Sequence, residues 1–301
     1  MTMFTRRSIL KAIGASSLLS SQGLLASKAF AGERDDQLNI LCWEGYNSAE
    51  VLDPYRTLKS ANVKAESATN DPTMVNKLRA GETKVWDLIN VNNPWARKIL
   101  FPEGLILPLD KDEFAPFFDK MLPTFKFPYD WAMSVDGSQL LGMAQRFGPF
   151  NFVVNTDKIS RKSAEEIGWK LFTDPALKGK FAIQESDDWN VAHIFAIAGI
   201  DPYKEHTKDE MDAFAKMSKY IFSNAKFVGD IAAVNQGLVN GEIDAYISGG
   251  TYTASLARAE GLSNIRAISP NKDAYMWVEL TSVVNNPNKT PLAYDFLKYV
   301  Q

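Results

Sequence analysis

In the stretch Y-M-W-V-E-L-T, residues 275–281, the side chains able to do chemistry fall at every second position: Tyr275, Trp277, Glu279 and Thr281. Large and β-branched residues make this stretch a strand. On a strand, alternate side chains share a face. The opposite face, Met276, Val278 and Leu280, reads as core. Two rings, a carboxylate and a hydroxyl in one row suit an ammonium group. A ring face attracts a cation by ~0.5–2 kcal/mol per contact. A carboxylate adds charge-assisted hydrogen bonds. Rings also stack on sugars, so a carbohydrate suits the same kit.

Similar groupings recur. Trp43, Glu44 and Tyr46 stand in C-W-E-G-Y, and Asn92, Asn93 and Trp95 in N-N-P-W. Asp187 and Asp188 precede Trp189, and Tyr252 follows Gly249-Gly250-Thr251. Arg146 suits a carboxylate through its bidentate fork, so an acid or zwitterion is a further ligand class.

The usual catalytic signatures are missing. The chain has no G-x-x-x-x-G-K-[ST], G-x-G-x-x-G, H-E-x-x-H or G-x-S-x-G. One Cys and two His leave no zinc cluster. No catalytic residue, metal or cofactor is expected. His193, in N-V-A-H-I-F-A-I-A, reads as a hydrogen-bonded core histidine, and His206 as a solvated one. Cys42 reads as a buried thiol. Glu44, Asp187 and Glu279 would be the acids of a secreted hydrolase. No nucleophile motif accompanies them.

The elements that must position these groups alternate. Strands are expected over 38–43, 63–67 and 85–91, with helices over 47–58 and from Asp71-Pro72 to Gly81 between them. Asn47 and Glu50 are spaced as a capping box. Such βαβαβ order implies a parallel sheet. A Pro-rich middle follows, with Pro102, Pro108, Pro116, Pro123 and Pro128. The alternation resumes with strands over 150–155, 181–184, 227–228, 243–247 and 265–268, and helices over 190–198, 207–223, 230–241 and 251–260. The row 275–281 and a last helix over 291–300 end the chain. In open α/β sheets ligands bind at the carboxyl ends of strands. Trp43, Asn92, Trp189 and Tyr252 all follow strands in that way.

The 301 residues are 46% hydrophobic and 23% charged, a globular balance long enough for two lobes. The first thirty or so residues read as an export leader. Arg6-Arg7 precedes a short apolar run, and A-F-A at 29–31 closes it. The pair matches a twin-arginine signal, with cleavage after Ala31 and a periplasmic destination. Without the leader's four basic residues the chain holds 29 basic against 36 acidic side chains. That balance disfavours nucleic acid.

Several segments together carry a family resemblance. They are L-N-I-L-C-W-E-G-Y-N-S-A-E-V-L-D, M-V-N-K-L-R-A-G-E-T-K-V-W-D-L-I, P-E-G-L-I-L-P-L-D, D-P-A-L-K-G-K-F-A-I, G-E-I-D-A-Y-I-S-G-G, M-W-V-E-L-T-S-V-V and A-Y-D-F-L-K-Y-V. In their order and spacing the chain resembles the periplasmic spermidine/putrescine-binding proteins of ABC importers. The resemblance implies an α/β, two-lobed periplasmic-binding-protein fold of type II, its discontinuous lobes joined by hinge strands. Lobe 1 would comprise 36–143 plus 270–301, and lobe 2 144–269. It also implies a monomer that delivers a small cation to a permease. The family's first-strand Trp and Tyr fall on Trp43 and Tyr46, and its hinge-strand Trp and acid on Trp277 and Glu279. Its serine after the third strand falls on Asn92, and an aromatic at the first crossing on Phe147. Its acid after the first-strand Trp is shifted to Glu44, and its D-D-x-x-E places Ser186 and Trp189 at the carboxylate positions, beside Asp187 and Asp188. Its second-lobe Trp is replaced near Ser248, with Tyr252 as the substitute. Family members also continue past the last helix, so a chain ending at Gln301 reads as a truncated gene model or a fragment.

Overall fold

Nearly unbroken apolar runs such as L-N-I-L-C-W make strands buried on both faces, and helices cover them. The computed structural model describes residues 34–301, apart from the side chains of residues 187, 188 and 256. The export leader lies outside the described residues. In chain order the strands are β1 (Gln37–Trp43), β2 (Asn62–Ala68), β3 (Leu88–Asn92), β4 (Ile106–Leu107), β5 (Met143–Pro149), β6 (Phe152–Asn155), β7 (Phe181–Gln184), β8 (Val228–Gly229), β9 (Ala245–Ile247), β10 (Ile265–Ile268) and β11 (Met276–Val284).

They form two sheets. The first has the order β2-β1-β3-β11-β4, with β5 also paired to β11. The second has the order β10-β6-β9-β7-β8. The expected βαβαβ unit is present: β1 pairs in parallel with β2 and with β3. Helices Ala49–Lys59 and Asp71–Arg79 make its connections. The first sheet has its own core, with Leu38, Leu41, Tyr55, Met74, Val91 and Phe114 all fully buried. Phe152, Phe172, Phe181, Val153 and Tyr246 centre the cores of the second.

Local chemistry explains most helix ends. Asn70 caps Asp71–Arg79 by accepting from the Thr73 N–H, with Pro72 in the first turn. Thr207 and Glu210 form the expected capping box of Lys208–Asn224. Asn47 and Glu50 do not. Ser48 is the N-cap of Ala49–Lys59. The Asn47 side chain instead accepts from the Gly45 N–H and donates to Ser67, because the turn at 44–46 needs it there.

Strand β5 was not expected from the pattern. It lies wholly in the first sheet, so the chain changes sheets at residues 150–151, six residues later than a boundary at 143/144. The return falls between β10 and β11. Two hydrogen bonds tie the crossings together: Phe150 N–H to the Tyr275 carbonyl at 2.9 Å, and Asn151 Nδ2 to Ser269 Oγ at 2.8 Å.

Candidate functional site

The row on β11 faces the way its alternation predicts. Glu279 stands opposite Asn92 and Thr281 opposite Asn90 across the antiparallel β3 ladder. On the other side Glu279 stands opposite Arg146 of β5, and Trp277 opposite Gly148. Residues directly opposite share a face. Six positions from three strands, Asn90, Asn92, Arg146, Gly148, Trp277 and Thr281, therefore surround Glu279. On the reverse face Val278 and Leu280 are buried as expected, while Met276 is 43% exposed at the strand's end.

Glu279 is 3% exposed and does not stand alone. Arg146 donates from Nε to its Oε2 at 3.0 Å and from Nη2 to its Oε1 at 2.9 Å. This bidentate pair is strong and directional. Burial pushes the Glu279 carboxyl up from the ordinary range, and Arg146 pulls it back. The third donor of Arg146, Nη1, reaches the Glu44 carbonyl at 3.1 Å. So Glu44 contributes main chain to the site, while its side chain is exposed.

Two rings flank this guanidinium. Its carbon lies 4.6 Å from the centroid of Tyr46 and 5.9 Å from that of Trp277. Two glycines make room. Gly45 has φ +94°, a turn conformation that swings Tyr46 over Arg146. A Cβ on Gly148 would sit 2.5 Å from Trp277 Cζ2, so only glycine lets the indole lie against β5.

Beneath the pair is a polar floor. Asn90 donates to Thr281 Oγ1 at 3.0 Å, and Thr281 donates to Gln145 Oε1 at 2.5 Å. Tyr46 Oη, Asn90 Oδ1, Asn92 Oδ1 and Gln145 Nε2 are buried without a hydrogen-bond partner. The Tyr46 hydroxyl lies beside Glu279 and Asn90 without a well-formed bond to either, and burial raises its pKa. Cys42 is buried near Arg146 and Glu279, and burial pushes its thiol up to about 12.

Asp71 joins two predicted site residues. It is fully buried. Its carboxylate accepts from Trp43 Nε1 at 2.9 Å, from the Asn92 N–H at 3.2 Å and from Asn92 Nδ2 at 2.8 Å. From sequence Asp71 was only a helix start. Its signal was an acid directly before Pro72, in line with two strand exits.

The second sheet adds more rings. Trp189 stacks with Trp277 at 6.2 Å and 24°, and meets Phe150 edge-on. Tyr203 contacts Phe150 and Tyr275, and Trp131 of the Pro-rich middle meets Tyr203 at 5.9 Å. Trp131 and Tyr203 escaped sequence reasoning because the first lies in the single 3-10 turn Asp130–Ala132 and the second in a loop, and neither has a readable period. His193, 1% exposed, sets Nδ1 2.6 Å from the Trp189 carbonyl and Nε2 3.1 Å from the Asn151 carbonyl. Burial holds its pKa down at about 4.

Two predicted residues stand apart. Phe147 pairs with Val278 on the reverse face of the sheet and packs on Phe125 at 4.8 Å. One residue's difference along a strand flips the face, so Arg146 takes the inward place. Tyr252 is 64% exposed on helix Thr251–Ala259 and shares no ring contact with this group among the described residues. Asp187 opens helix Asp187–Ile197, and its side chain lies outside the described residues.

The bacterial extracellular solute-binding protein family model matches residues 50–301. Among solved structures, the spermidine/putrescine ABC transporter substrate-binding protein PotD of Streptococcus pneumoniae, in complex with calcium and HEPES, superposes with a TM-score of 0.70 at 15% identity, over 88% of this chain and 77% of that one. The lipoprotein TpPotD of Treponema pallidum gives 0.70 at 14%, over 88% and 81%. Iron-bound HitA of Pseudomonas aeruginosa gives 0.65 at 13%, over 88% and 79%. No curated protein matches in sequence. At these identities the likeness is one of fold: α/β, two-lobed, with the lobes joined by hinge strands.

Proposed function

The chain belongs to the bacterial extracellular solute-binding protein family, and from that premise we propose that it captures a small organic cation, polyamine-like, between its lobes. It hands the solute to the permease of an ABC importer and catalyses no reaction. The leader at Arg6-Arg7 supports export to the periplasm by the twin-arginine route, and the proposed working form is a monomer. One observation carries the cation reading. Glu279, buried at a hinge strand and flanked by Tyr46 and Trp277, already holds a positively charged nitrogen group, that of Arg146. A ligand cation would use the same carboxylate and rings. Trp43, Asn92 and Trp189 would wall the cleft, and Asp187, close to Trp189 in sequence, would be the acid for the ligand's far end. Thermal-shift screening of the leaderless protein with putrescine, spermidine, amino acids, dicarboxylates and sugars tests this. Saturable stabilisation by amines is expected. A shift with sugars or acids and none with any amine sinks it.

A second reading has its own observation. The Arg146 side chain is 39% exposed, and three of its N–H groups have acceptors. The guanidinium has five such donors. The remaining edge suits the carboxylate of an acid or zwitterion, and the same screen separates the two.

A further inference from the structure

The group that holds Glu279 in this structure is a planar, forked cation. Arg146 lays two parallel N–H bonds on the two carboxylate oxygens, at 3.0 and 2.9 Å. Its guanidinium carbon sits 4.6 Å from the Tyr46 centroid. A guanidinium makes both contacts, whereas an ammonium is a compact point charge with no fork to match. Gly45 and Gly148 shape the space around it, one by its positive φ and one by lacking a Cβ against Trp277.

Arg146 leaves this subsite incompletely used. Asn90 Oδ1 and Asn92 Oδ1, on side chains 1% and 8% exposed, have no partner. The Tyr46 hydroxyl beside them has none either. The two members of the pair also differ in freedom. The Arg146 side chain is 39% exposed and can swing toward solvent, while Glu279, at 4%, is fixed in the sheet.

We infer that Arg146 is a stand-in for the ligand, and that the subsite is built for a solute carrying a guanidinium group. An incoming guanidino compound takes the fork on Glu279 and the place beside Tyr46, and the Arg146 side chain moves out. This rests on the cation reading above and narrows it, from amines in general to amines with a guanidino end.

The test uses two probes of equal charge, methylguanidinium and methylammonium, at matched ionic strength. In the variant Arg146→Ala, millimolar methylguanidinium is expected to raise the Tm saturably. Methylammonium should bind roughly tenfold more weakly, the worth of one charge-assisted hydrogen bond. Wild type should respond to methylguanidinium only at higher concentration than Arg146→Ala does, because its own guanidinium must first move out. Adding Glu279→Gln to Arg146→Ala should abolish the response. Should Arg146→Ala not fold, Arg146→Gln, which retains an amide donor for Glu279, carries the same comparison. Equal responses to both probes, or none, overturn the inference. Titrating wild type with 1-amino-4-guanidinobutane and 1,4-diaminobutane separates the two levels. Tighter binding of the diamine overturns the guanidinium inference and leaves the cation reading standing. Binding of neither shows that Arg146 does not give way in wild type and overturns the inference, whatever Arg146→Ala takes up.

Discussion

Asp71 shows how much one buried side chain sets in place. Its two oxygens accept from the Trp43 indole and from both nitrogens of Asn92, so it orients a ring and an amide at two neighbouring strand exits. Replacing it with Ala leaves those buried donors unpaired. Each such loss costs about 1–3 kcal/mol. Asp71→Ala is expected to lower stability by about 2–4 kcal/mol in urea denaturation and to shift the Trp emission as Trp43 loosens. A variant as stable as wild type with unchanged emission would take Asp71 out of this role. Glu279→Gln keeps the shape of the floor but removes its charge. If an amine meets that carboxylate, binding measured by calorimetry should weaken by about 1.5–3 kcal/mol. Unchanged affinity would mean that the ligand never reaches it.

At the scale of elements, the site depends on register. The alternation of 275–281 was enough to place Trp277, Glu279 and Thr281 on one face. What faces Glu279 was not legible, because Arg146 lies 133 residues away and meets it only through the β5–β11 ladder, which shifts register beside Glu279. Strand β5 itself carries Gln145, Arg146, Gly148 and Pro149, poor strand formers apart from Phe147. Tertiary pairing makes it a strand, so its inward side chain was misassigned to Phe147. The parallel unit β1-β2-β3 and the helices around it were legible because strong apolar runs and caps specify them locally. The ring contacts of Trp131 and Tyr203 were not, since a single 3-10 turn and a loop have no period. Gly148→Ala tests the strand-on-strand packing. Its Cβ would fall 2.5 Å from Trp277. The indole must move, and such overpacking costs about 1–3 kcal/mol. The Trp277–Trp189 stack should be lost, visible in near-UV circular dichroism. An intact spectrum would show that β5 yields instead.

For the whole molecule, the questions are pH and closure. His193 bridges the helix that begins at Asp187 to Asn151, and Asn151 ties the two crossings together. Its pKa is held down from 6.5 to about 4 by burial. Above pH 6.5 the ring is neutral folded and unfolded, and stability is unaffected. As pH falls from 6.5 toward 4 the unfolded chain takes a proton that the folded one refuses. Stability is then lost by about 3 kcal/mol. Denaturation midpoints at pH 7.5, 5.5 and 4 should fall more steeply for wild type than for His193→Gln, and parallel curves would exclude this origin. Closure depends on contacts between the two sheets' units. Trp131, beside the first sheet and beneath the Arg97 guanidinium at 5.1 Å, meets Tyr203 beside the second at 5.9 Å. Glu279 and Arg146 are held by each other, the Glu44 carbonyl and the rings of Tyr46 and Trp277, so removing the Trp131–Tyr203 contact is expected to alter closure and leave the proposed cation subsite intact. An aromatic pair contributes about 0.5–1.5 kcal/mol. A ligand that binds the closed form has its affinity reduced by the fraction of closed form available. Trp131→Ala should therefore weaken binding by roughly two- to tenfold. It should also raise the ligand-free radius of gyration in small-angle scattering and leave the ligand-saturated one unchanged. Equal radii and equal affinity in both proteins would place the closing energy elsewhere, at the Trp189–Trp277 stack on the hinge side.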